Sequence, residues 1–363
     1  MALYPLIGHQ EVRSRLAQAV AKDKLPQVIL LTGAAGTGKQ RLALWLAQLV
    51  LCQSPAAEPC GSCRSCRLVG TLSHSDLHWF VPVARPKVSD PEKQVEEAAQ
   101  LIAQAMEERR TRPLYAENDG MASHGIATVR LLQRRAALTS VEGGRRVFIV
   151  GEADRLVVQE SSQEAANALL KLLEEPPANS LFILTTVEPR RLLPTIRSRA
   201  VTVRLGRLSH AEVREFLVAH LRPAPSGDAL ERRVVEAEGS IGRALGSGDE
   251  SGRAQQAANQ LLDAILAGPG PSLERALSQP AWSARGEFTA MLDALAETLG
   301  EAARGTLGHT PRRRVPAPLL RHRNPGPLVD AMEHVADARE AAGGNVNPQI
   351  LLAVLTDELA EVL

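Results

Sequence analysis

The sequence is poor in aromatic residues and has no excess of charge of either sign. Phenylalanine, tryptophan and tyrosine make up 3% of the 363 residues, too few for a surface on which successive bases of a single strand would stack. The 42 lysines and arginines are balanced by 41 acidic residues, so the net charge is +1. This balance excludes a uniformly basic nucleic-acid coat and an acidic tail protein, although a local basic patch stays compatible with it.

Long apolar runs are also missing. The longest, residues 42–52, is interrupted by Gln48 and is too short to span a bilayer. No charged segment precedes an apolar one at the N-terminus, so we expect no signal peptide. With 44% hydrophobic and 23% charged residues, the composition is that of a globular protein. We therefore expect a cytoplasmic protein without membrane contact, with two to three domains of about 150 residues each.

Cysteine is scarce, yet all four cysteines lie close together in the sequence. They follow the spacing C-x7-C-x2-C-x2-C at Cys52, Cys60, Cys63 and Cys66. Two-residue gaps let neighbouring thiolates turn toward one point, which favours a closed, structural Zn²⁺ site with four sulfur ligands. An iron–sulfur cluster is the alternative, although no later cysteine followed by proline completes the ferredoxin-like pattern. Two disulfides are disfavoured in a reducing compartment.

Residues 33–39 match the phosphate-loop pattern G-x-x-x-x-G-K between an apolar strand and a helix, which is the context that this loop requires. We expect backbone N–H groups of the loop to surround phosphate and Lys39 to reach its outer oxygens. The next residue is Gln40, where a serine or threonine hydroxyl would bind Mg²⁺. The candidate nucleotide-binding residues are Gly33, Gly36, Thr37, Gly38, Lys39 and Gln40.

A second apolar strand, residues 147–150, leads into Gly151-Glu152-Ala153-Asp154. An ATPase has an acidic pair there, an aspartate that supports Mg²⁺ and a glutamate that aligns the attacking water. Gly151 replaces the aspartate, while Glu152 remains as a candidate catalytic residue. Because Gln40 and Gly151 alter two magnesium-supporting positions together, we predict weak or absent hydrolysis. The alternative is that Glu152 and Asp154 form only a solvated strand end.

Periodicity predicts an α/β domain followed by helices. Short apolar runs predict four strands, at residues 27–31, 147–150, 181–185 and 201–203. They alternate with helical patterns, which favours a parallel sheet through residue 205. Within the polar segment 82–122, a helix is predicted by the spacing of Val95, Ala99, Ile102 and Met106. Further helices are predicted at the capping box Ser209–Glu212 and after Asn347-Pro348.

Short motifs lie between the second strand and the fourth: GEADRL at 151–156, ANALLK at 166–171, LEEPP at 173–177, FILTT at 182–186, LPTI at 193–196 and SRA at 198–200. Together they resemble the bacterial DNA polymerase III clamp-loader subunits of the AAA+ class. Residues 6–10, LIGHQ, are similar to the segment that flanks adenine in AAA+ proteins, and four cysteines after the first helix are a clamp-loader trait. More loosely, Asn345-Val346-Asn347 resembles the C-terminal collar. Segment 82–122 is longer than the resemblance leads us to expect.

Within this family the chain resembles the delta-prime type more than the tau/gamma ATPase. Gln40 and Gly151 depart from the ATPase pattern, and Gly242 stands where an ATPase carries its sensing arginine, with Arg243 displaced by one position. Ser198-Arg199 matches the arginine that reaches into a neighbour's ATP site in this family. The resemblance therefore implies that Arg199 is an arginine finger acting in trans.

The resemblance also implies an architecture and a function. The expected architecture is a P-loop (RecA-like, AAA+) α/β domain over residues 1–205 with a zinc module at 52–66, a helical lid at 206–248 and a helical collar at 249–363. The expected function is that of a subunit of the DNA polymerase III holoenzyme, a DNA-directed DNA polymerase, which helps an ATP-driven ring to load the sliding clamp on primed DNA. Tau/gamma and delta subunits are its expected partners. The alternatives are an active tau/gamma-type motor and an unrelated zinc-containing nucleic-acid-binding module.

Overall fold

The computed structural model describes residues 5–111, 122–142, 144–156, 163–246, 250–279, 285–311, 315–342 and 346–363. The chain forms two compact units, Met1–Gly242 and Arg243–Leu363. Residues 112–121 of the polar segment and Asn345 of the collar motif lie outside the described residues. The domain boundaries expected at residues 205 and 248 stay predictions. Across the described part of the chain, no helix is both long and apolar enough to cross a membrane.

A parallel sheet forms the centre of the first unit, and the predicted fold class is confirmed. Its strands, within the described ranges, are β1 (Val28–Thr32), β2 (Leu77–Phe80), β3 (Arg146–Val150), β4 (Ser180–Thr186) and β5 (Val201–Arg204). Their spatial order is β2-β3-β4-β1-β5, and every neighbouring pair is parallel. Strands β1, β3 and β4 are buried along their whole length, as expected for a sheet covered on both faces.

Strand β2 is not predicted by the sequence. It contains His78 and follows Asp76, so no run of β-branched apolar residues marks it. It pairs with β3 at one edge of the sheet, where Trp79 and Phe80 are buried. The sheet therefore has a strand beyond the four that periodicity indicates.

The first unit also contains helices. They are α1 (Gln10–Ala21), α2 (Lys39–Leu51), α3 (Arg64–Gly70), α4 (Pro91–Thr111), α5 (Ile126–Ala137), α6 (Glu164–Glu174), α7 (Pro194–Arg197), α8 (His210–His220), α9 (Gly227–Glu236) and α10 (Ile241–Gly246), which crosses the boundary between the units. The predicted capping box opens α8: Ser209 Oγ accepts from the Glu212 amide at 3.2 Å, and Glu212 Oε2 accepts from the Ser209 amide at 2.7 Å. Both bonds satisfy backbone donors that the first helical turn leaves open.

The helix predicted in the polar segment is α4, which packs against α5. Its buried face contains Val95, Ala98 and Ile102, whereas the sequence indicates Ala99. The chain returns from this segment through Ser123, which forms an antiparallel bridge with Val83. The segment therefore rests on the first unit through a helix and a short backbone bridge.

The core of the first unit holds the P-loop helix in place. Phe148 of β3 and Phe182 of β4 stack with ring centroids 4.9 Å apart. Helix α2 contributes Leu42, Leu46 and Leu49, all fully buried. Burial of each such side chain contributes about 1.5–3 kcal/mol, so packing fixes the helix that begins at Lys39.

The described residues of the second unit that lie in regular elements are helical. Apart from the shared α10, the helices are α11 (Glu250–Ala267), α12 (Pro269–Leu277), α13 (Arg285–Thr306), α14 (Gly326–Ala342) and α15 (Pro348–Val362). Leu292, Leu295 and Leu299 of α13 are fully buried in its core. The predicted start of the last helix is confirmed, because Asn347 Oδ1 accepts from the Gln349 amide at 2.9 Å and Pro348 is the first helical residue.

Candidate nucleotide site and cysteine cluster

The phosphate loop connects β1 to α2 in the geometry that its glycines allow. Gly33, Gly36 and Gly38 have φ angles of 150°, 70° and 95°, values that residues with a side chain rarely adopt. The Thr37 hydroxyl donates to the Ala34 carbonyl at 2.9 Å and braces the turn from inside. The loop therefore leads into the N-terminus of α2, where backbone N–H groups favour an anion.

Lys39 is buried at the start of α2. Its ammonium group donates to the carbonyl oxygens of Gly33 at 2.9 Å and Ala34 at 2.7 Å. Burial lowers the pKa of Lys39 to about 8, although the negative charges of Asp154 and Glu152 oppose that shift. The ammonium group is thus bound to carbonyl oxygens of its own loop. It lies at the position where the motif predicts contact with phosphate.

The turn before α10 closes on the same loop. Ser240 Oγ donates to the Ala35 carbonyl at 2.9 Å, and the Gly242 amide donates to the Gly36 carbonyl at 3.1 Å. A Cβ atom placed on Gly242 would lie 2.6 Å from Gly36 Cα, closer than real contacts allow. Arg243, the displaced arginine of the sequence, forms an ion pair with Glu297 of α13. A side chain at position 242 is therefore incompatible with this arrangement of the loop.

The N-terminal segment also lies on the phosphate loop. The His9 ring nitrogen Nε2 is 2.7 Å from the Thr37 carbonyl oxygen. A Cβ atom on Gly38 would lie 3.5 Å from Leu6 Cδ1. These contacts place the residues that resemble an adenine-flanking segment beside the loop.

The position expected to support magnesium is lined by hydrogen-bond donors. A Cβ atom on Gly151 would lie 3.3 Å from both Gln40 Nε2 and Trp79 Nε1. Gln40 Oε1 is buried and has no hydrogen-bond partner within the described part of the chain. Mg²⁺ requires several oxygen ligands in near-octahedral geometry, and here a neutral amide and an indole replace the hydroxyl and the carboxylate. These residues do not fit a magnesium ion.

The two acidic residues after β3 have different environments. Glu152 has a left-handed backbone with φ 51°, and its Oε2 lies 3.1 Å from Arg155 Nε. Asp154 is buried, and its Oδ1 accepts from the Thr186 hydroxyl at 2.5 Å. The interpretation of both as a solvated strand end is therefore wrong for Asp154. The water-aligning role of Glu152 stays a prediction, and in this structure its carboxylate is engaged by Arg155.

Sequence reasoning misses two residues of this site, Trp79 and His124. His124 is buried, and its Nε2 is 2.6 Å from the Gly151 carbonyl oxygen. Burial lowers the pKa of His124 to about 4, so a neutral ring donates from Nε2 at pH 7. Neither residue belongs to a motif, and Trp79 lies on the unpredicted strand β2. The only sequence signal for Trp79 is the rarity of tryptophan, which occurs three times in the chain.

The four cysteines meet at the other end of α2, as their spacing predicts. Their sulfur atoms all lie within 4.8 Å of one another, and none of the four forms a disulfide. The Cys63 amide donates to Cys60 Sγ at 3.4 Å, and this bond leads the backbone and side-chain interactions that lower the pKa of Cys60 to about 6. Burial raises the pKa of Cys66. The cluster can hold a metal ion, and its all-sulfur donor set fits Zn²⁺.

Glu142 ties the cysteine module to the sheet. Its Oε1 accepts from Arg64 Nη1 at 2.7 Å and its Oε2 accepts from Ser65 Oγ at 3.4 Å, both on α3. Asp76, just before β2, accepts hydrogen bonds from the amides of Val141 and Glu142 at 2.9 and 3.0 Å. Although burial opposes the shift, these bonds hold the pKa of Asp76 below its usual value. The loop before β3 is therefore fixed to both the module and the sheet edge.

Arg199 lies between α7 and the edge strand β5. Its guanidinium donates to the Thr195 carbonyl at 2.8 Å and forms an ion pair with Glu174 at the end of α6. The residue is exposed. Its assignment as an arginine finger stays a prediction, and the exposed position is one that a neighbouring chain can reach.

The comparisons with known proteins agree with the resemblance that the motifs carry. The family described as DNA polymerase III, delta subunit, matches residues 8–209, more than half of the chain. The DNA polymerase III subunit delta' of Bacillus subtilis is 30% identical over 207 residues, which cover 57% of this chain and 50% of that protein. The delta' subunit of Pseudomonas aeruginosa is 34% identical over 231 residues, which cover 62% and 58%. The chain thus spans only 50–58% of the length of these relatives.

Similarity extends to the second subunit type. The gamma/tau subunit of Mycobacterium tuberculosis is 29% identical over 237 residues, which cover 65% of this chain and 32% of that protein. A solved gamma subunit-related protein from Thermotoga maritima covers 96% of this chain and 98% of its own at 16% identity, with a TM-score of 0.45. The family match over residues 8–209 is decisive: the chain belongs to the DNA polymerase III clamp-loader family.

Proposed function

We propose that this chain is a delta-prime-like subunit that completes an ATP-driven clamp-loading ring without acting as its motor. The proposal rests on a contrast within the first unit between the altered magnesium-supporting positions and the retained arginine. Gln40 and Gly151 remove the oxygen ligands that magnesium needs, whereas Arg199 remains exposed beside an edge strand. Such a chain contributes to a neighbour's reaction and hydrolyses little ATP itself.

Arg199 is suited to act in trans. In phosphoryl transfer, negative charge spreads over the γ-phosphoryl oxygens, and a guanidinium from a neighbouring chain accelerates the reaction by roughly 10³- to 10⁵-fold. Its planar fork makes two directed, charge-assisted bonds and stays charged at every relevant pH. Release from Glu174 is inexpensive, because exposed ion pairs contribute about 0–1 kcal/mol.

The remaining assignments follow from membership in the family. Tau/gamma and delta subunits are the proposed partners in a hetero-oligomeric ring, with the helical second unit as the collar that joins them. The ring, a cytoplasmic part of the DNA polymerase III holoenzyme, would bind the sliding clamp and primed DNA. Zn²⁺ is the proposed structural ion, held by the four cysteines, and it orders a module that catalyses nothing itself.

The test replaces Arg199 with alanine in the assembled loader. Arg199→Ala is expected to lower the ATPase and clamp-loading rates at least about 10-fold, while fold and assembly stay intact. Arg197→Ala is the matched control, because Arg197 is an exposed arginine on the same turn. Arg199→Lys is expected to restore activity only in part, since an ammonium lacks the fork. Clamp loading at the normal rate by the alanine variant would remove the finger role.

The tau/gamma-type motor is the second candidate, and the loop favours it: its glycines and Lys39 have the geometry of a phosphate site. If the chain is such a motor, the purified chain alone should hydrolyse ATP with one turnover every few seconds, and Lys39→Ala should abolish this hydrolysis. We expect hydrolysis far slower than that from the lone chain.

A further inference from the structure

We infer that the phosphate loop of this chain binds nucleotide phosphate without a magnesium ion. The inference rests on the proposed function, in which the chain is a non-hydrolysing subunit of the loader. It names what the altered site binds: a free nucleoside diphosphate or triphosphate, in place of the magnesium complex that an ordinary P-loop takes.

The first argument is the chemistry of the donors beside Gly151. Gln40 Nε2 and Trp79 Nε1 both lie 3.3 Å from the point where a side chain at this position would begin. Amide and indole nitrogens present hydrogens, whose positive ends repel a cation and attract an oxyanion or a water molecule bound to one. Gln40 Oε1 offers one neutral oxygen, and Gly151 supplies no carboxylate, whereas protein sites for Mg²⁺ normally contribute one or two carboxylates besides water and phosphate oxygens.

The second argument is that the nearby carboxylates are already engaged. Glu152 Oε2 is 3.1 Å from Arg155 Nε, and Asp154 Oδ1 accepts from Thr186 in a buried position. A magnesium ion would have to draw one of them from its partner, and Asp154 is also surrounded by packed side chains. Leaving the buried Thr186 hydroxyl unpaired carries an energetic cost, which works against the ion.

The third argument is that the attraction for phosphate is intact. The Lys39 ammonium lies at the N-terminus of α2, 2.7–2.9 Å from loop carbonyls that it can exchange for phosphate oxygens. The glycines give the loop the backbone that cradles an anion. Lys39 and the loop amides therefore supply an attraction for phosphate that needs no metal ion.

The test measures ADP binding to the full chain by calorimetry, once with excess Mg²⁺ and once with EDTA. We expect the two dissociation constants to agree within about twofold. The double variant Gln40→Thr/Gly151→Asp restores the hydroxyl and the carboxylate, and the shorter side chain at 40 vacates the space that the new one needs. This variant is expected to bind ADP at least ~10-fold more tightly with Mg²⁺ than without, a difference of ~1.4 kcal/mol.

The controls are Gln18→Thr and Gly144→Asp, the same substitutions at an exposed glutamine of α1 and at a glycine with open space around it. Both should bind ADP like the unchanged chain. Three results overturn the inference: at least ~10-fold tighter binding by the unchanged chain with Mg²⁺, no ADP binding in EDTA, or no magnesium dependence in a folded double variant. None of them affects the Arg199 experiment, so the proposed function is tested separately.

Discussion

Helix α2 joins two candidate sites, with the phosphate loop before Lys39 and the cysteine cluster after Leu51. At the cysteine end the ligand set is complete, and four sulfur atoms lie within 4.8 Å of one another. At the loop end the backbone is suited to phosphate, but Gln40 and Gly151 supply no ligand set for a cation. The two ends of α2 therefore differ: one has the ligands for a structural metal ion, and the other lacks the ligands for a catalytic one.

The difference follows from what each end needs in order to fold. Residues 53–62, between Cys52 and Cys63, are largely exposed and bury too little apolar surface to order themselves. The loop end is held by the buried strands β1, β3 and β4 and by α2 whether or not a cation binds. We therefore expect the cysteine module to depend on a bound metal ion for its order, and the P-loop not to.

The largest expected effect comes from breaking the cysteine end. Cys66→Ser removes a buried ligand, and we expect the bound zinc to fall below about a tenth of an equivalent and the free energy of unfolding to fall by about 4 kcal/mol. Elemental analysis and denaturant titration measure the two quantities. Ser54→Ala, at an exposed residue of the same loop, is the control. Iron in place of zinc in the unchanged chain would contradict the assignment.

An intermediate effect is expected from disturbing the contact between Gly242 and the phosphate loop. Gly242→Ala puts a Cβ atom 2.6 Å from Gly36 Cα, a backbone atom that cannot rotate away, so we expect a loss of about 2–3 kcal/mol in unfolding free energy. Thermal melting measures it. Gly206→Ala, where the added atom meets open space, should change stability by less than about 1 kcal/mol. Equal melting curves for the two variants would show that the contact does not hold the loop.

The smallest effect is a dependence on pH at the loop end. The pKa of His124 is about 4 in the folded chain and about 6.5 when unfolded, so the unfolded chain binds more protons between these values. The stability that neutral His124 provides is complete above pH 6.5 and falls as pH drops, by about 2 kcal/mol at pH 5.

A comparison of variants isolates that contribution. His124→Asn should flatten the slope of unfolding free energy between pH 7 and pH 5, whereas His210→Asn, at an exposed histidine, should leave it unchanged. His78, whose pKa burial also lowers to about 4, titrates equally in all three chains and cancels. Parallel slopes for His124→Asn and the unchanged chain would reject the assignment.

Local patterns predict the parts of this molecule in which neighbours in sequence decide the structure. Strands β1, β3 and β4 are apolar runs buried on both faces, and the capping bonds of Ser209 and Asn347 connect residues two or three positions apart. The cysteine cluster is of the same kind, since its spacing already brings the thiolates together. These features follow from the sequence because their chemistry is short-range.

Prediction from the sequence fails where residues far apart in the chain determine the local structure. Strand β2 is held by its pairing with β3, and its own residues carry little strand signal. On α4 the spacing suits Ala98 and Ala99 equally, and only packing against α5 decides that Ala98 is the fully buried one. Trp79 and His124 approach Gly151 from segments 72 and 27 positions away, a proximity that no local periodicity contains.

The contact between Gly36 and Gly242 limits the routes by which this sequence can change. The resemblance assigns the sensing arginine of an ATPase to position 242, yet even the Cβ atom of such a residue would lie 2.6 Å from Gly36 Cα. A side chain at Gly36 would in turn lie 2.2 Å from Ser240 Oγ and 2.8 Å from Gly242 Cα. A side chain added at either position therefore meets the backbone of the other, so each single substitution is strained. An arginine at position 242 therefore requires the backbone of residues 240–242 to be rebuilt at the same time.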